Sequence, residues 1–189
     1  MPKRDPEIAA YDRRFRKEEE VEDITIFLDA YERATGEVLQ IEEASESPDA
    51  ICRRSDGTIV GVEHTRVRRS PEQAHWDAVL DYRDEMDVEE TLDEINRLIF
   101  QKAELLRKFS IPRNILLIVL YESDFDIAVT LAKNIPREDL ESTGFEEIWL
   151  ADFKGIREGA HREARLFGLY PDSCRTLAER SHYDQKPYG

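Results

Sequence analysis

The sequence contains little cysteine, no long apolar run and no signal peptide. Its two cysteines among 189 residues provide neither a disulfide framework nor the spacing of a zinc site, so we expect Cys52 to be a small core residue. No apolar run approaches the roughly 18 residues of a membrane-spanning helix, and the charged N-terminus lacks the apolar segment of a signal peptide. These absences predict one soluble, cytoplasmic domain without membrane contact.

Positive charge is also scarce, because 27 Lys and Arg residues face 42 Asp and Glu residues and leave a formal net charge of −15. This excess argues against a protein that wraps nucleic acid over a broad surface. Residues 48–69 are the exception, with five basic and three acidic residues and a local charge of +2. Their arginines either hold phosphates or form solvated strand ends, and the candidates for phosphate contacts are Arg53, Arg66 and Arg68.

Residues 48–67 are the stretch around which we expect the fold to be organised. Two β-rich runs within it flank the tripeptide Ser55-Asp56-Gly57, which predicts a β-hairpin. A two-residue turn would use Asp56 and Gly57 alone, whereas a three-residue loop would end on Gly57 with positive φ, as a bulge. We favour the three-residue loop, because Ser and Asp suit the early positions of a type I turn.

The choice of turn decides which side chains face each other, since a one-residue slip moves every side chain to the opposite face. The three-residue loop places Asp49 opposite Glu63, with Cβ atoms roughly 5 Å apart, whereas the two-residue turn would place Asp49 opposite His64. Facing carboxylates repel unless a cation lies between them or one of them is protonated. Converging oxygen ligands suit Mg²⁺, with Mn²⁺ as a substitute, so the hairpin predicts a metal site at Asp49 and Glu63.

The sequence Pro48-Asp49, followed after thirteen residues by Glu63-x-Thr65 at the end of an apolar strand, resembles the motif of the PD-(D/E)XK nuclease superfamily. The order of elements over residues 20–153 is also similar to that family. The resemblance implies a restriction-endonuclease-like fold and Mg²⁺-dependent hydrolysis of phosphodiester bonds. The sequence departs from the family pattern at Thr65, where the family has lysine.

The first predicted helix spans residues 18–35, where apolar residues recur at helical spacing. In the resembled family, an acidic residue on the first helix often lies near the metal. The resemblance therefore makes Glu32, at the edge of the apolar stripe, a candidate metal ligand and catalytic residue. The alternative is that Glu32 occupies a solvated helix flank. Residues 1–17 are polar and of mixed charge, and are expected to form an N-terminal arm or a short helix.

A helix predicted at residues 88–109 has a lysine on its apolar face. The seven-residue step between Ile99 and Leu106 should contain an apolar residue at position 102, but that position is Lys102. Such a lysine must lose solvation or find a carboxylate partner. The resembled family includes members whose active-site lysine lies on a neighbouring helix, which makes Lys102 the candidate catalytic lysine. The alternative is that its stem covers the core edge while its ammonium stays solvated.

The predicted order of elements indicates an α/β fold with a mixed central sheet of about five strands and helices on both faces. We expect one nuclease-like domain over residues 18–180, followed by a loose tail over residues 181–189. The combined features predict a Mg²⁺-dependent nuclease that acts on nucleic acid, DNA before RNA, and a homodimer is one means of cutting both strands. The alternative is a catalytically inactive nuclease-like domain that binds a protein partner or nucleic acid.

Overall fold

The computed structural model describes residues 6–67, 88–121, 125–157 and 164–183. The helices are α1 (Pro6–Thr35), α2 (Val88–Leu106), α3 (Phe125–Asn134), α4 (Lys154–Arg157) and α5 (Asp172–Tyr183), and a 3₁₀ turn spans Leu140–Thr143. The strands are β1 (Leu39–Ala44), β2 (Ala50–Arg54), β3 (Ile59–Arg66), β4 (Asn114–Leu120), β5 (Glu147–Asp152) and β6 (Arg165–Tyr170).

The six strands form one sheet in the order β1-β2-β3-β4-β5-β6. Strands β3, β4 and β5 are parallel to one another, whereas β1 with β2, β2 with β3, and β5 with β6 pair antiparallel. The predicted α/β class and mixed sheet are therefore confirmed, with six strands rather than about five.

Helices cover both faces of the sheet, because the central strands are apolar on both sides. Alternate residues of a strand point to opposite faces, and each set joins a different core. The core under α1 and α5 contains three residues of β4: Ile115, Leu117 and Val119. The core under α2 and α3 contains the other three: Leu116, Ile118 and Leu120.

The hairpin between β2 and β3 has the predicted three-residue loop. Gly57 has a φ of 88°, and its amide donates to the carbonyl of Arg54 at 2.9 Å. The strand pairs include Ile51 with Gly61, as the three-residue loop requires. The register on which the facing of Asp49 and Glu63 depends is therefore confirmed.

The boundaries differ from the prediction at both ends of the chain. Helix α1 begins at Pro6, so most of the predicted N-terminal arm is helical. Helix α5 was not predicted, and its last residues extend into the predicted tail. The sequence Ser70-Pro71 is typical of a helix start and predicts a helix to about residue 84, but this stretch lies outside the described residues. Within the described ranges, no helix is long and apolar enough to cross a membrane.

Candidate functional site

The candidate site lies where the C-terminal half of β3 meets the start of β2. Strand β2 runs antiparallel to β3, so Asp49, the residue before β2, lies beside Glu63. Glu63 is on the sheet face that packs against α2, because its neighbours Val60 and Val62 point to the core under α1. The strand register thus brings Asp49 close enough for its charge to raise the pKa of Glu63.

Gly61 allows Pro48 to approach β3 closely. A Cβ atom at position 61 would lie 2.5 Å from Cγ of Pro48 and 2.2 Å from Oδ1 of Asn114. These distances are far below van der Waals contact, so the absence of a side chain at Gly61 is what admits both neighbours. The packing of Pro48 in turn fixes the position of Asp49, the next residue.

The Asp49 carboxylate is held by one backbone and one side-chain donor. The backbone amide of His64 donates to Oδ2 at 2.9 Å, and the Lys17 ammonium of α1 lies 3.3 Å from Oδ1. The first contact ties Asp49 to β3, and the second ties it to α1. Asp49 therefore links three elements at the site.

Glu63 is a buried carboxylate with one ammonium partner. Its exposed fraction is 4%, and Oε1 lies 2.5 Å from Nζ of Lys102. The second oxygen, Oε2, is buried and has no hydrogen-bond partner among the described residues. Burial raises the pKa of Glu63 and the nearby charge of Asp49 raises it further, while Lys102 and a hydrogen bond from the Asp49 backbone amide oppose these effects without cancelling them. A further cation beside this carboxylate would therefore stabilise its charged form.

Helix α2 places Lys102 by burying the residues one turn before it. Ile95, Leu98 and Ile99 pack in the core against β4, and Lys102 follows Leu98 and Ile99 at helical spacing on the same side. The Lys102 side chain is 20% exposed, so its ammonium lies at the edge of the core, directed at Glu63. The predicted inward position of Lys102 is therefore observed, while its catalytic role stays a prediction.

Helix α1 places a second lysine, Lys17, at the site from the opposite face of the sheet. The Lys17 ammonium lies 3.4 Å from Oε2 of Glu20 and 3.3 Å from Asp49. Neither Lys17 nor Glu20 was expected to be near the site. The signal was present, because the buried positions Tyr31, Leu28 and Ile24, extended backward by seven residues, lead to position 17.

Glu32 is not brought to the site. It is exposed and lies fifteen residues beyond Lys17 on α1, which corresponds to about 22 Å along the helix axis. The helix passes the carboxylate pair with its N-terminal half, not with the turn that contains Glu32.

The structure describes two of the three arginines that were predicted to contact phosphate, and both form ion pairs with carboxylates. Arg53 is exposed and forms an ion pair with Glu42. Arg66 lies on the opposite face from Glu63, paired with Asp23 and Glu19. Arg68 lies outside the described residues.

A second polar cluster lies behind the site, on the α1 face of β3. Asp23 is 1% exposed, and its Oδ2 lies 2.9 Å from both Nε2 of His64 and Nε of Arg66; the hydroxyl of Tyr121 also donates to this oxygen. Burial alone would raise the pKa of Asp23, but these hydrogen bonds and the neighbouring positive charges outweigh burial, so the pKa lies below its ordinary value. The cluster fixes α1 to the end of β3.

The carboxylate oxygens at the site are ligands that suit a hard divalent cation, although few of them lie close together. Within the described ranges, no group of three or more His, Cys, Asp or Glu side chains is arranged to hold a metal ion. Asp49 nevertheless lies close enough for its charge to raise the pKa of Glu63, and Oε2 of Glu63 has no hydrogen-bond partner in the described part of the chain. Two carboxylates with an open oxygen fit Mg²⁺, which keeps several waters and takes only one or two carboxylates from a protein.

Comparisons with family models, with curated proteins and with solved structures find no match to this chain. Its function therefore has to be inferred from the geometry of the site.

Proposed function

We propose that the chain is a divergent member of the PD-(D/E)XK nuclease superfamily with a restriction-endonuclease-like fold, and that it hydrolyses phosphodiester bonds, in DNA before RNA. The observation that carries the proposal is the contact between Lys102 on α2 and Glu63 on β3. The strand motif has Thr65 in place of lysine, and the helix provides an ammonium at the neighbouring carboxylate. Pro48-Asp49, Glu63 and Lys102 together supply the side-chain types that the superfamily uses.

Asp49 and Glu63 are the proposed holders of one Mg²⁺ ion, for which Mn²⁺ could substitute. When bound, this cation would polarise the scissile phosphate and lower the pKa of an attacking water. Glu63 has one oxygen engaged by Lys102 and one without a hydrogen-bond partner among the described residues, so it can bind the ammonium and a cation at once. Asp49 is held by the His64 amide, which keeps the carboxylate oriented in the absence of substrate.

Lys102 is the proposed electrostatic catalyst. Its ammonium is fixed by Glu63 at the border between core and solvent, where a scissile phosphate could approach it. Phosphodiester hydrolysis concentrates negative charge on the phosphoryl oxygens, and a fixed positive charge at a partly desolvated site stabilises that charge without reorganisation. The same ammonium can orient the attacking water by a hydrogen bond.

The test is cleavage of supercoiled plasmid and of single-stranded DNA and RNA oligonucleotides, in Mg²⁺, in Mn²⁺ and in EDTA. We expect metal-dependent cleavage that is lost in Glu63→Gln and retained in Glu104→Gln, which alters an exposed glutamate of α2 as a matched control. Absence of cleavage by the natural sequence in both metals would contradict the proposal. Cleavage that survives Glu63→Gln would contradict the assignment of the site.

A second candidate function is that of a nuclease-like domain that binds a protein partner or nucleic acid without cutting it. It is favoured by the fact that both carboxylates already have ammonium partners, Lys17 for Asp49 and Lys102 for Glu63. Titration calorimetry with Mn²⁺ separates the two functions. No heat and no change in melting temperature would favour the binding module.

A further inference from the structure

We propose that Lys17 is a built-in counter-cation of the site, which a divalent metal must displace, so that Lys17 sets the metal affinity. The inference rests on the proposed function, because it assumes that Asp49 and Glu63 bind a divalent cation. It assigns opposite tasks to the two lysines at the site. Lys102 stays when metal binds, and Lys17 leaves.

The two lysines approach the carboxylate pair from opposite faces of the sheet. Lys17 comes from α1 and contacts Asp49 and Glu20, whereas Lys102 comes from α2 and contacts Glu63. Their side chains are similarly exposed, 23% for Lys17 and 20% for Lys102. Solvent access therefore does not distinguish them, and their contacts do, because Lys17 is shared between two carboxylates whereas Lys102 contacts Glu63.

The contacts of Lys17 are long and those of Lys102 are short. Lys17 lies 3.3 Å from Asp49 and 3.4 Å from Glu20, while Lys102 lies 2.5 Å from Glu63. Charge-assisted N–H···O bonds are typically about 2.7–2.9 Å long, so Lys17 is held between two carboxylates without a strong bond to either. Its flexible four-carbon stem allows the ammonium to move into solvent at low cost.

The charges at the site favour an exchange over a simple addition. Three carboxylates, Glu20, Asp49 and Glu63, face two ammonium groups, which leaves one net negative charge. Adding a divalent cation without loss of Lys17 would give a net positive charge at a partly buried position. Replacing the Lys17 ammonium by the divalent cation brings the group to neutrality, which is the less costly arrangement in a low-dielectric setting.

The buried Oε2 oxygen of Glu63 is a second observation that supports a cation site at this position. Oε2 of Glu63 is buried without a hydrogen-bond partner in the described part of the chain, and the Glu63 side chain is only 5% exposed. Lys17 satisfies Asp49 and Glu20 but leaves this oxygen unsatisfied. A divalent ion shared by Asp49 and Glu63 would satisfy it, which Lys17 cannot do from its present position.

The test is titration calorimetry of the full chain with Mn²⁺, comparing the natural sequence with Lys17→Met and with Lys108→Met. Met preserves most of the lysine stem and removes the charge; Lys108 is an exposed lysine after α2, so its variant controls for net charge. We expect Lys17→Met to bind Mn²⁺ about fivefold more tightly than the natural sequence, the scale of a partly exposed ion pair, and Lys108→Met to leave the affinity unchanged.

The rise in melting temperature on adding Mn²⁺ is a second readout, which a merely structural Lys17 would not change. Without metal, Lys17→Met should melt at a lower temperature, because Asp49 and Glu20 lose their shared cation. With saturating Mn²⁺, the melting temperature should rise by more in the variant than in the natural sequence. Lys17→Arg keeps the charge and serves as the second variant, with Mn²⁺ affinity no higher than that of the natural sequence.

The outcomes separate this inference from the proposed function. If the natural sequence binds Mn²⁺ and folded Lys17→Met binds it no more tightly, metal does not displace Lys17. The same conclusion follows if Lys17→Arg binds Mn²⁺ as tightly as Lys17→Met. In either case the nuclease proposal stands. If neither the natural sequence nor any Lys17 variant binds Mn²⁺, both are wrong. If only Lys17→Met binds measurably, the competition is confirmed.

Discussion

The ammonium of Lys102 on α2 lies 2.5 Å from Oε1 of Glu63 on β3. Lys102 interrupts the apolar stripe of its helix, and Glu63 is a buried acid in an apolar strand. Each residue would be costly in its position without the other, because a buried charge without a partner loses its hydration uncompensated. Their contact accounts for both exceptions to the apolar pattern.

The first prediction concerns the loss of this contact. Lys102→Met leaves Glu63 buried without an ammonium, so we expect the free energy of unfolding to fall by about 1–3 kcal/mol, less than for a fully buried pair because Lys102 is partly exposed. Urea unfolding measures this loss, and nucleic-acid cleavage should be abolished. The double variant Lys102→Met with Glu63→Gln should regain part of the stability and none of the cleavage. Cleavage that persists in Lys102→Met would contradict the role of the lysine.

The second prediction tests whether Lys102 replaces the lysine of the strand motif. Thr65 is buried, two residues after Glu63 on the same face of β3. Thr65→Lys alone would place a second ammonium beside Lys102, so we expect lower stability and no gain in cleavage. Thr65→Lys combined with Lys102→Met should recover part of the metal-dependent cleavage that Lys102→Met loses. Equal inactivity of the single and double Lys102 variants, with both folded, would argue against this equivalence.

Sequence alone predicted the hairpin and Lys102 better than it predicted the residues that α1 contributes to the site. The expectation that Asp49 lies opposite Glu63 follows from one local choice, the three-residue loop that ends at Gly57. The loop length fixes the register, and the register fixes which residues are opposite each other along the hairpin. The inward position of Lys102 follows from helical period, since a single charged residue interrupts an otherwise regular stripe. Both are short-range patterns, and the structure has the predicted hairpin register and the predicted inward lysine.

The contribution of α1 could not be chosen from sequence in the same way. Acidic residues occur on nearly every turn of this helix, so composition did not distinguish Glu20 from Glu32. The deciding fact is which turn crosses the end of β3, and that depends on contacts such as Asp23 with His64, far apart in sequence. The start of α1 at Pro6 was missed because residues 1–17 are mostly polar and of mixed charge.

The third prediction concerns the pH dependence that Glu63 imposes. Because burial raises the pKa of Glu63 above its ordinary value of 4.5, the folded state binds this proton more tightly than the unfolded chain does. Ionised Glu63 therefore costs stability, and the cost grows as the pH rises from 4.5 through the raised pKa. In EDTA, Glu63→Gln should gain stability relative to the natural sequence as the pH rises from about 4 to about 8. Urea unfolding at stepped pH checks this, and a pH-independent difference would contradict it.

The fourth prediction has the opposite sign and concerns Asp23. Its pKa lies below the ordinary value of 3.8, because His64, Tyr121 and Arg66 favour the charged form. Asp23 thus contributes stability that is present above pH 3.8 and is lost as the pH falls through the lowered pKa. Asp23→Asn should be less stable than the natural sequence at neutral pH, with a difference that shrinks below pH 3.8. A loss of stability that stays constant into acid would show that packing, not charge, is what Asp23 contributes.

The last prediction concerns Gly61, which controls the position of Asp49 without contacting a ligand. A Cβ at this position would meet Asn114 at 2.2 Å and Pro48 at 2.5 Å, so Gly61→Ala must displace at least one of them. We expect a loss of about 1–3 kcal/mol in the free energy of unfolding, typical of overpacking, measured by urea unfolding.

The matched control for Gly61→Ala is Gly57→Ala. Position 57 has open space around its missing Cβ and a φ of 88°, so only backbone strain of about 1 kcal/mol should result. Because Pro48 precedes Asp49, Gly61→Ala should also weaken Mn²⁺ binding, whereas Gly57→Ala should leave it unchanged. If both variants lose stability equally and bind Mn²⁺ as the natural sequence does, the close approach of Pro48 to β3 does not position the carboxylate.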